Sequence, residues 1–142
     1  MREILFRGKR IDNGRWEEGY FLKYALIYEE QTHILPLGSV CDSGIEIDSK
    51  TVCQYTGLKD RNGRKIFEGD IVKGVAYSTD FIGYIVWIDA IAGFGVRYFN
   101  KHREPTAWEN SSILKAIQRW KHPNEFQAEI IGNIFDNPEL IN

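Results

Sequence analysis

The stretch QYTGLKDRNGRKIFEGDIV, residues 54–72, decides the fold because it sets two turn signals among strand-forming residues. Arg61-Asn62-Gly63 predicts a hairpin turn, since Asn-Gly readily adopts the positive φ that a tight turn needs. Glu68-Gly69-Asp70 predicts a sharp corner, in which glycine supplies backbone freedom and the aspartate accepts a bond from a nearby backbone N–H. The stretch therefore predicts a hairpin followed by a corner.

The rest of the chain repeats this pattern of short strands and turns. Asn13-Gly14 predicts another hairpin near the beginning. Short strands at such spacing predict a mainly β fold, a small barrel or sandwich of antiparallel strands. The corner at 68–72 is similar to the entry turn of SH3-like barrels, which favours such a barrel in the second half. We expect at most one or two short helices, one of them beginning at Ser111-Ser112 and extending to Trp120.

The length of 142 residues fits one domain or two small subdomains. We place the subdomains at 1–67, a hairpin and meander, and at 68–142, a small barrel, and we expect the two to form one compact unit. The formal net charge of -2 is far from that of a nonspecific DNA-coating protein. Charges interrupt the apolar residues at the start, and no apolar run reaches the roughly 20 residues of a membrane span. With two cysteines and no export signal, the sequence predicts a cytoplasmic protein that does not engage membranes.

No catalytic motif is found in the sequence. It has no serine in a nucleophile elbow and no Walker loop, and Gly93-Phe94-Gly95 lacks the third glycine of a dinucleotide site. The cysteines and histidines lack the close paired spacing of zinc ligands. We therefore expect no enzymatic activity, no cofactor and no metal site. The cysteines and histidines that could in principle bind a metal are Cys41, Cys53, His33, His102 and His122.

Two clusters of cations are candidates for contact with nucleic acid or a partner. The first is the tip of the 54–72 hairpin, whose charges either grip phosphates or simply keep the tip soluble and protect a sheet edge. The second combines cations with an aromatic ring, as a site for single strands does, although such a ring is more commonly packed inward. The candidate residues are Lys59, Arg61, Arg64, Lys65, Arg119, Trp120 and Lys121.

An aromatic stripe follows the first hairpin and is a candidate surface for self-association. Residues two apart on a strand share a face, so Trp16, Tyr20, Tyr24 and Tyr28 fall on one side. These residues form either part of the core or a surface that is covered when another copy docks, since Tyr and Trp are enriched at interfaces. Tyrosine hydroxyls need a partner or water, which makes complete burial less favourable.

Three segments, ILFRGKRIDNGRWEEGY (4–20), TVCQYTGLKDRNGRKIFEGDIV (51–72) and EIIGNIFDNPELI (129–141), resemble the YopX family of phage and prophage proteins. They lie at the beginning, middle and end, so the resemblance covers essentially the whole chain. It implies a phage-derived, intracellular, mainly β protein that forms homo-oligomers, and it implies no reaction and no functional residues. Ser49 and Cys53 depart from the family pattern, which often has proline and glycine there.

These observations predict an accessory protein without catalytic activity. It would act by self-association or by binding a host or phage protein. The alternative is a nucleic-acid-binding module that uses the basic hairpin tip.

Overall fold

The fold is mainly β, as the sequence predicts. The computed structural model describes residues 3–25, 27–38, 43–76, 79–98, 110–112 and 128–141, with no side-chain description at 75, 76, 79 and 110–112. These residues form antiparallel strands and three short 3-10 helices, Ser49–Thr51, Asp89–Ile91 and Pro138–Leu140. The strands are β1 (Phe6–Lys9), β2 (Trp16–Ala25), β3 (Glu30–Pro36), β4 (Ile45–Glu46), β5 (Cys53–Lys59), β6 (Lys65–Phe67), β7 (Asp70–Ala76), β8 (Thr79–Ile88), β9 (Gly93–Tyr98), β10 (Asn110–Ser112) and β11 (Glu129–Asn133).

The chain divides into two compact units, one that ends at Tyr55 and one that begins at Thr56. Strand β5 contributes residues to both units. The boundary predicted between residues 67 and 68 falls inside the second unit.

The first unit is a sheet in the order β4-β3-β2-β1, with the beginning of β5 beside β1. The predicted hairpin between β1 and β2 is confirmed: Gly14 has φ +69° and its N–H donates to the carbonyl of Arg10 at 3.0 Å. The guanidinium of Arg10 binds Asp12 at 2.6 Å and Glu17 at 3.2 Å. The hydrogen bond from Arg10 holds the pKa of Asp12 below its ordinary value. These contacts fix the turn that positions β2.

The buried side chains of the first unit lie on β3, on β5 and in the segments next to the strands. They are Leu5, Ile34, Ile47, Cys53 and Tyr55, together with the threonines at 32 and 51. Gly19 on β2 pairs with Pro36 on β3. A Cβ at position 19 would overlap the carbonyl oxygen of Leu35 and lie 2.7 Å from the carbonyl carbon. Glycine is therefore required there by the neighbouring main chain.

The second unit contains a five-stranded sheet in the order β10-β9-β8-β7-β11. Its core is formed by apolar side chains on the inward-facing positions of these strands and on β6. The fully buried members are Ile66, Val72, Ile85, Val96 and Ala128, against which Leu58, Phe81, Phe94, Tyr98 and Ile130 pack. Strand β11 has an irregular register between Ile130 and Gly132, where it forms a bulge.

Two expectations from the sequence need correction. The described residues form no closed barrel, because β10 and β11 are separate edges of an open sheet, and the outer edge of β11 bonds to the hairpin tip instead of to β10. Ser111 and Ser112 do not begin a helix. Both lie in β10, where Ser111 pairs with Val96, so pairing with β9 overrides the local helical spacing. The rest of the predicted helix, 113–120, lies outside the described residues.

Candidate functional site

The basic hairpin tip is organised around Asp60, whose side chain is completely buried. Its Oδ1 accepts hydrogen bonds from the main-chain N–H groups of Asn62 and Arg64, each at 2.9 Å. Its main-chain carbonyl accepts a bond from the N–H of Gly63, at 2.9 Å, and Gly63 has φ +80°. The predicted Asn-Gly turn is therefore confirmed. A buried carboxylate inside the turn fixes its shape.

The tip is bound to β11, far away in the sequence. The other carboxylate oxygen of Asp60 accepts a bond from the N–H of Ile130, at 3.2 Å. The N–H of Arg61 donates to the carbonyl of Ala128 at 3.1 Å, and the guanidinium of Arg64 donates to the carbonyl of Ile130 at 2.7 Å. Arg61 also forms an ion pair with Glu129. The tip is therefore docked on the edge of the second sheet.

These contacts change how the candidate cations are interpreted. The side chains of Arg61 and Arg64 are both 56% exposed, yet each guanidinium already binds β11. Lys59 is exposed and Lys65 is half-buried. The tip thus presents positive charge to solvent while two of its cations stabilise the sheet edge. The second predicted cluster, Arg119, Trp120 and Lys121, lies outside the described residues.

The corner after the hairpin has the geometry that the sequence predicts. Gly69 has φ +77°, and its N–H donates to the carbonyl of Ile85 at 2.8 Å. Asp70 is buried, and its Oδ2 accepts a bond from the N–H of Phe67 at 2.8 Å. The carbonyl of Gly69 accepts a bond from the N–H of Ile134 at 2.9 Å. The corner joins β6 to β7, and its polar groups are used to hold the main chain.

The aromatic stripe on β2 is open to solvent in the single chain. Tyr20 lies in the middle of the strand and is 53% exposed, while Trp16 and Tyr24 are half-buried. Tyr28 lies beyond the end of β2, at Ala25, and is 96% exposed. The stripe is therefore not part of the core of the first unit.

Neighbouring residues extend the stripe into a continuous surface. Because directly paired residues on antiparallel strands share a face, Leu35 lies beside Tyr20, and His33 lies beside Leu22. The rings of Tyr24 and His33 meet edge to face, with centroids 5.1 Å apart. We call this surface the aromatic face; its members are Trp16, Tyr20, Leu22, Tyr24, His33 and Leu35.

Cations from β1 lie at one end of the aromatic face. The guanidinium of Arg7 lies 4.7 Å from the centre of the Trp16 ring, and the amine of Lys9 lies 5.5 Å from it. Both distances are within the range of a cation–π interaction. These contacts fix the indole ring at the first residue of β2, on the same face as the tyrosines.

The thiols and histidines form no ligand cluster in the described part of the chain. Groups of three or more His, Cys, Asp or Glu that could hold a metal ion are absent from these residues. The buried thiol of Cys53 donates to the carbonyl of Thr51 at 3.3 Å. This is the environment of a small packed side chain. Cys41, His102 and His122 lie outside the described residues.

Sequence reasoning did not identify Asp60 as the residue that organises the tip. A signal was present: Asp60 lies two residues before Asn62, the spacing at which an aspartate accepts a bond from the backbone N–H of a turn. The pairing of the tip with β11 had no local signal, because Asp60 and Ile130 are 70 residues apart.

The fold and the surfaces described above define an antiparallel β protein of two units. The family model described as YopX protein matches residues 5–142, so the chain belongs to the YopX family. The chain is also similar to the crystal structure of protein EF1440 from Enterococcus faecalis, with 22% identity, a TM-score of 0.52 and complete coverage of both chains. That similarity concerns the fold. A comparison with curated proteins finds no match. No helix in the described residues is long and apolar enough to cross a membrane.

Proposed function

We propose that this protein works by association and not by catalysis, and that the aromatic face is where a second copy docks. The observation that carries the proposal is the exposure of Tyr20, 53% in the middle of a strand that is paired on both sides. A large apolar ring at such a position costs free energy in water, and covering it releases that free energy. A contiguous apolar surface of this kind is typical of an interaction site.

The composition of the aromatic face supports this proposal. Tryptophan, tyrosine and arginine dominate the binding energy of protein interfaces, especially near the centre of the buried area. Tyr20 is flanked on its own strand by Leu22 and faces Leu35 on β3, and both leucines are half-buried. Each tyrosine has a hydroxyl that can remain bonded at the rim. Leu37, 45% exposed, follows at the end of β3.

The charges around the aromatic face favour a second copy as the occupant. A two-fold interface brings the same patch of both copies together, so the patch must be complementary to itself. Arg7 and Lys9 supply positive charge on β1, and Glu18 and Glu46 supply negative charge at positions of the same face. With both signs present, a rotated copy can place its acids beside the cations of the first.

The first prediction concerns Tyr20. We expect Tyr20→Ser to weaken self-association at least about tenfold, which corresponds to about 1.4 kcal/mol, because it removes the central ring of the interface. Light scattering across a concentration series measures the change. Tyr20 is exposed in the single chain, so the thermal midpoint of the dilute monomer should change little.

Ile91→Ser is the matched control, since Ile91 is 49% exposed in the second unit and lies far from the aromatic face in sequence. It removes a similar exposed apolar side chain and should leave association unchanged. A wild-type chain that stays monomeric at all concentrations, or equal effects of the two substitutions, would contradict the proposal.

Nucleic-acid binding at the hairpin tip is the second candidate function. It is supported by the exposure of Arg61 and Arg64 and of the neighbouring Lys59. It is weakened by the bonds that both guanidinium groups already make to β11. Binding to phosphate would have to compete with these bonds.

The second prediction tests this candidate by fluorescence anisotropy with single- and double-stranded oligonucleotides. If the tip binds phosphates, Lys59→Ala should weaken binding and reduce its salt dependence by about one counterion, because Lys59 is exposed. Asp80→Asn, an exposed acid on β8, is a control that should not weaken binding. Absence of binding at low salt would eliminate this candidate.

We further propose an accessory role in a phage or prophage context, in the bacterial cytoplasm, with host or phage proteins as additional partners. The support is the membership of the chain in the YopX family and its resemblance to phage and prophage members. Copurification from a lysate of cells in which the phage genes are expressed tests for such partners.

A further inference from the structure

Strand β11 is at one edge of the five-stranded sheet, since it pairs with β7 on one side only. An edge strand presents unpaired N–H and C=O groups to which another strand can bond. Two such groups of β11, the N–H and the C=O of Ile130, are already bonded, as is the carbonyl of Ala128, which directly precedes the strand. Ala128 and Ile130 direct their carbonyls, and Ile130 directs its N–H, to the hairpin tip.

The tip forms hydrogen bonds with the outer edge of β11, as a neighbouring strand would, but it is not a strand of this sheet. Only the bond from the N–H of Arg61 to Ala128 joins main chain to main chain. Both polar groups of Ile130 are bonded by side chains: the N–H by the carboxylate of Asp60, and the carbonyl by the guanidinium of Arg64. A side chain can form a hydrogen bond with the N–H or C=O of an edge strand without adding a strand to the sheet. The docked tip therefore ends the sheet at β11.

We infer that the basic hairpin tip is a cap that keeps the edge of β11 from pairing with the same edge of a second copy. None of the residues of this surface belongs to the aromatic face, and the inference does not depend on the proposed function. When the cap is opened, two β11 strands can pair antiparallel about a two-fold axis, and the sheets of two copies become continuous.

The geometry of β11 specifies the register of that pairing. The N–H and the C=O of Ile130 both point away from β7, which is the arrangement of a hydrogen-bonded antiparallel pair. An axis between two Ile130 residues would let each donate to and accept from the other. In this register Glu129 faces Ile131 of the partner strand and Ala128 faces Gly132, so like charges are not opposed. A second copy is thus a compatible occupant.

The test opens the cap while it preserves the hairpin turn. In Asp60→Asn the remaining carbonyl oxygen can still accept bonds from Asn62 and Arg64, but the new amide NH₂ group faces the N–H of Ile130 and cannot accept its bond. Arg64→Ala in addition frees the carbonyl of Ile130. Both substitutions are made together with Tyr20→Ser, which weakens self-association through the aromatic face.

The expected result is a new dimer by light scattering, with hydrogen exchange at the amide of Ile130 that depends on concentration. In dilute solution, exchange at Ile130 should be at least about tenfold faster than in the Tyr20→Ser parent, because the amide has lost its acceptor. At high concentration the amide should again be protected by the partner strand. The matched control, Lys50→Ala with Asp80→Asn in the same background, makes the same charge changes at exposed positions outside the hairpin tip and should remain monomeric.

Three results would overturn the inference: unchanged exchange at Ile130, rapid exchange without dimer formation, or a dimer in which Ile130 still exchanges rapidly. If the double substitution does not fold, Arg64→Ala alone provides the test, because that side chain is more than half exposed. It should give the same dimer at higher concentration, and a strictly monomeric Arg64→Ala chain would then overturn the inference.

Discussion

Replacing Asp60 by alanine should lower the free energy of unfolding by about 3–5 kcal/mol, because it removes three hydrogen bonds to a charged group, each worth about 1.5–3 kcal/mol. The carboxylate of Asp60 accepts bonds from the N–H groups of Asn62, Arg64 and Ile130 and is completely buried. Alanine fills none of these roles. Urea denaturation measures the change through the midpoint at constant slope.

Asp80→Ala is the matched control for this experiment, since Asp80 is an exposed aspartate on β8. Substitutions at such surface positions commonly change stability by less than about 0.5 kcal/mol. Similar losses for Asp60→Ala and Asp80→Ala would show that the buried carboxylate does not organise the tip.

The second large effect is expected at Gly19. Gly19→Ala should lower the free energy of unfolding by about 3 kcal/mol, since overpacking in a closely packed site typically costs about 1–3 kcal/mol and sometimes more. The obstacle is the main chain of β3 at Leu35 and Pro36, which cannot rotate away as a side chain can. To accommodate the methyl group, β2 and β3 must separate, and the aromatic face must be distorted with them.

Gly93→Ala is the control, because a Cβ at position 93 has its nearest neighbour at 3.7 Å, an ordinary contact. Restricting the unfolded chain at a compatible glycine stabilises a protein by about 0.4–1 kcal/mol. Thermal unfolding of the two variants should therefore shift in opposite directions. A Gly19→Ala chain as stable as wild type would show that β2 and β3 do not approach so closely.

The sequence was sufficient for the features that one residue and its immediate neighbours determine. Asn13-Gly14 and Asn62-Gly63 were predicted as hairpin turns, and both glycines have positive φ. Gly69 and Asp70 form the predicted corner for the predicted reasons. Pro138, preceded by Asn137, begins a helical turn, although Asn137 Oδ1 accepts a bond from the N–H of Asn133 instead of capping the turn, and its Nδ2 donates to the side chain of Glu139.

Features that depend on distant parts of the chain could not be predicted in this way. The residues that follow Ser111 have apolar side chains at helical spacing in the sequence, but in the fold Ser111 pairs with Val96 and belongs to a strand. The second sheet ends at β11 because the hairpin tip is bonded there. The contact of Asp60 with Ile130 that holds the tip is not encoded by any local pattern. Closure of a barrel is likewise a pairing between distant strands, which the spacing of short strands does not encode.

The aromatic stripe could be predicted from the sequence only in part. Alternation correctly placed Trp16, Tyr20 and Tyr24 on one face, because a strand has a period of two residues. Alternation does not determine what covers that face. Burial in the core was one interpretation, and the exposure of Tyr20 excludes it for the first unit alone. Tyr28 was assigned to the stripe because the end of β2 at Ala25 had no clear signal.

The large distance in sequence between the hairpin tip and β11 also affects the time course of folding. The contacts of Arg61, Arg64 and Asp60 with β11 join residues 68, 66 and 70 positions apart. During synthesis the hairpin is complete long before the ribosome has made its docking site, and β7 is likewise made before its neighbour β11. Contacts of such long range slow folding, since the intervening chain must be ordered first. A nascent chain of this protein therefore has an interval in which the hairpin is formed but undocked, and in that interval it is most open to chaperones and proteases.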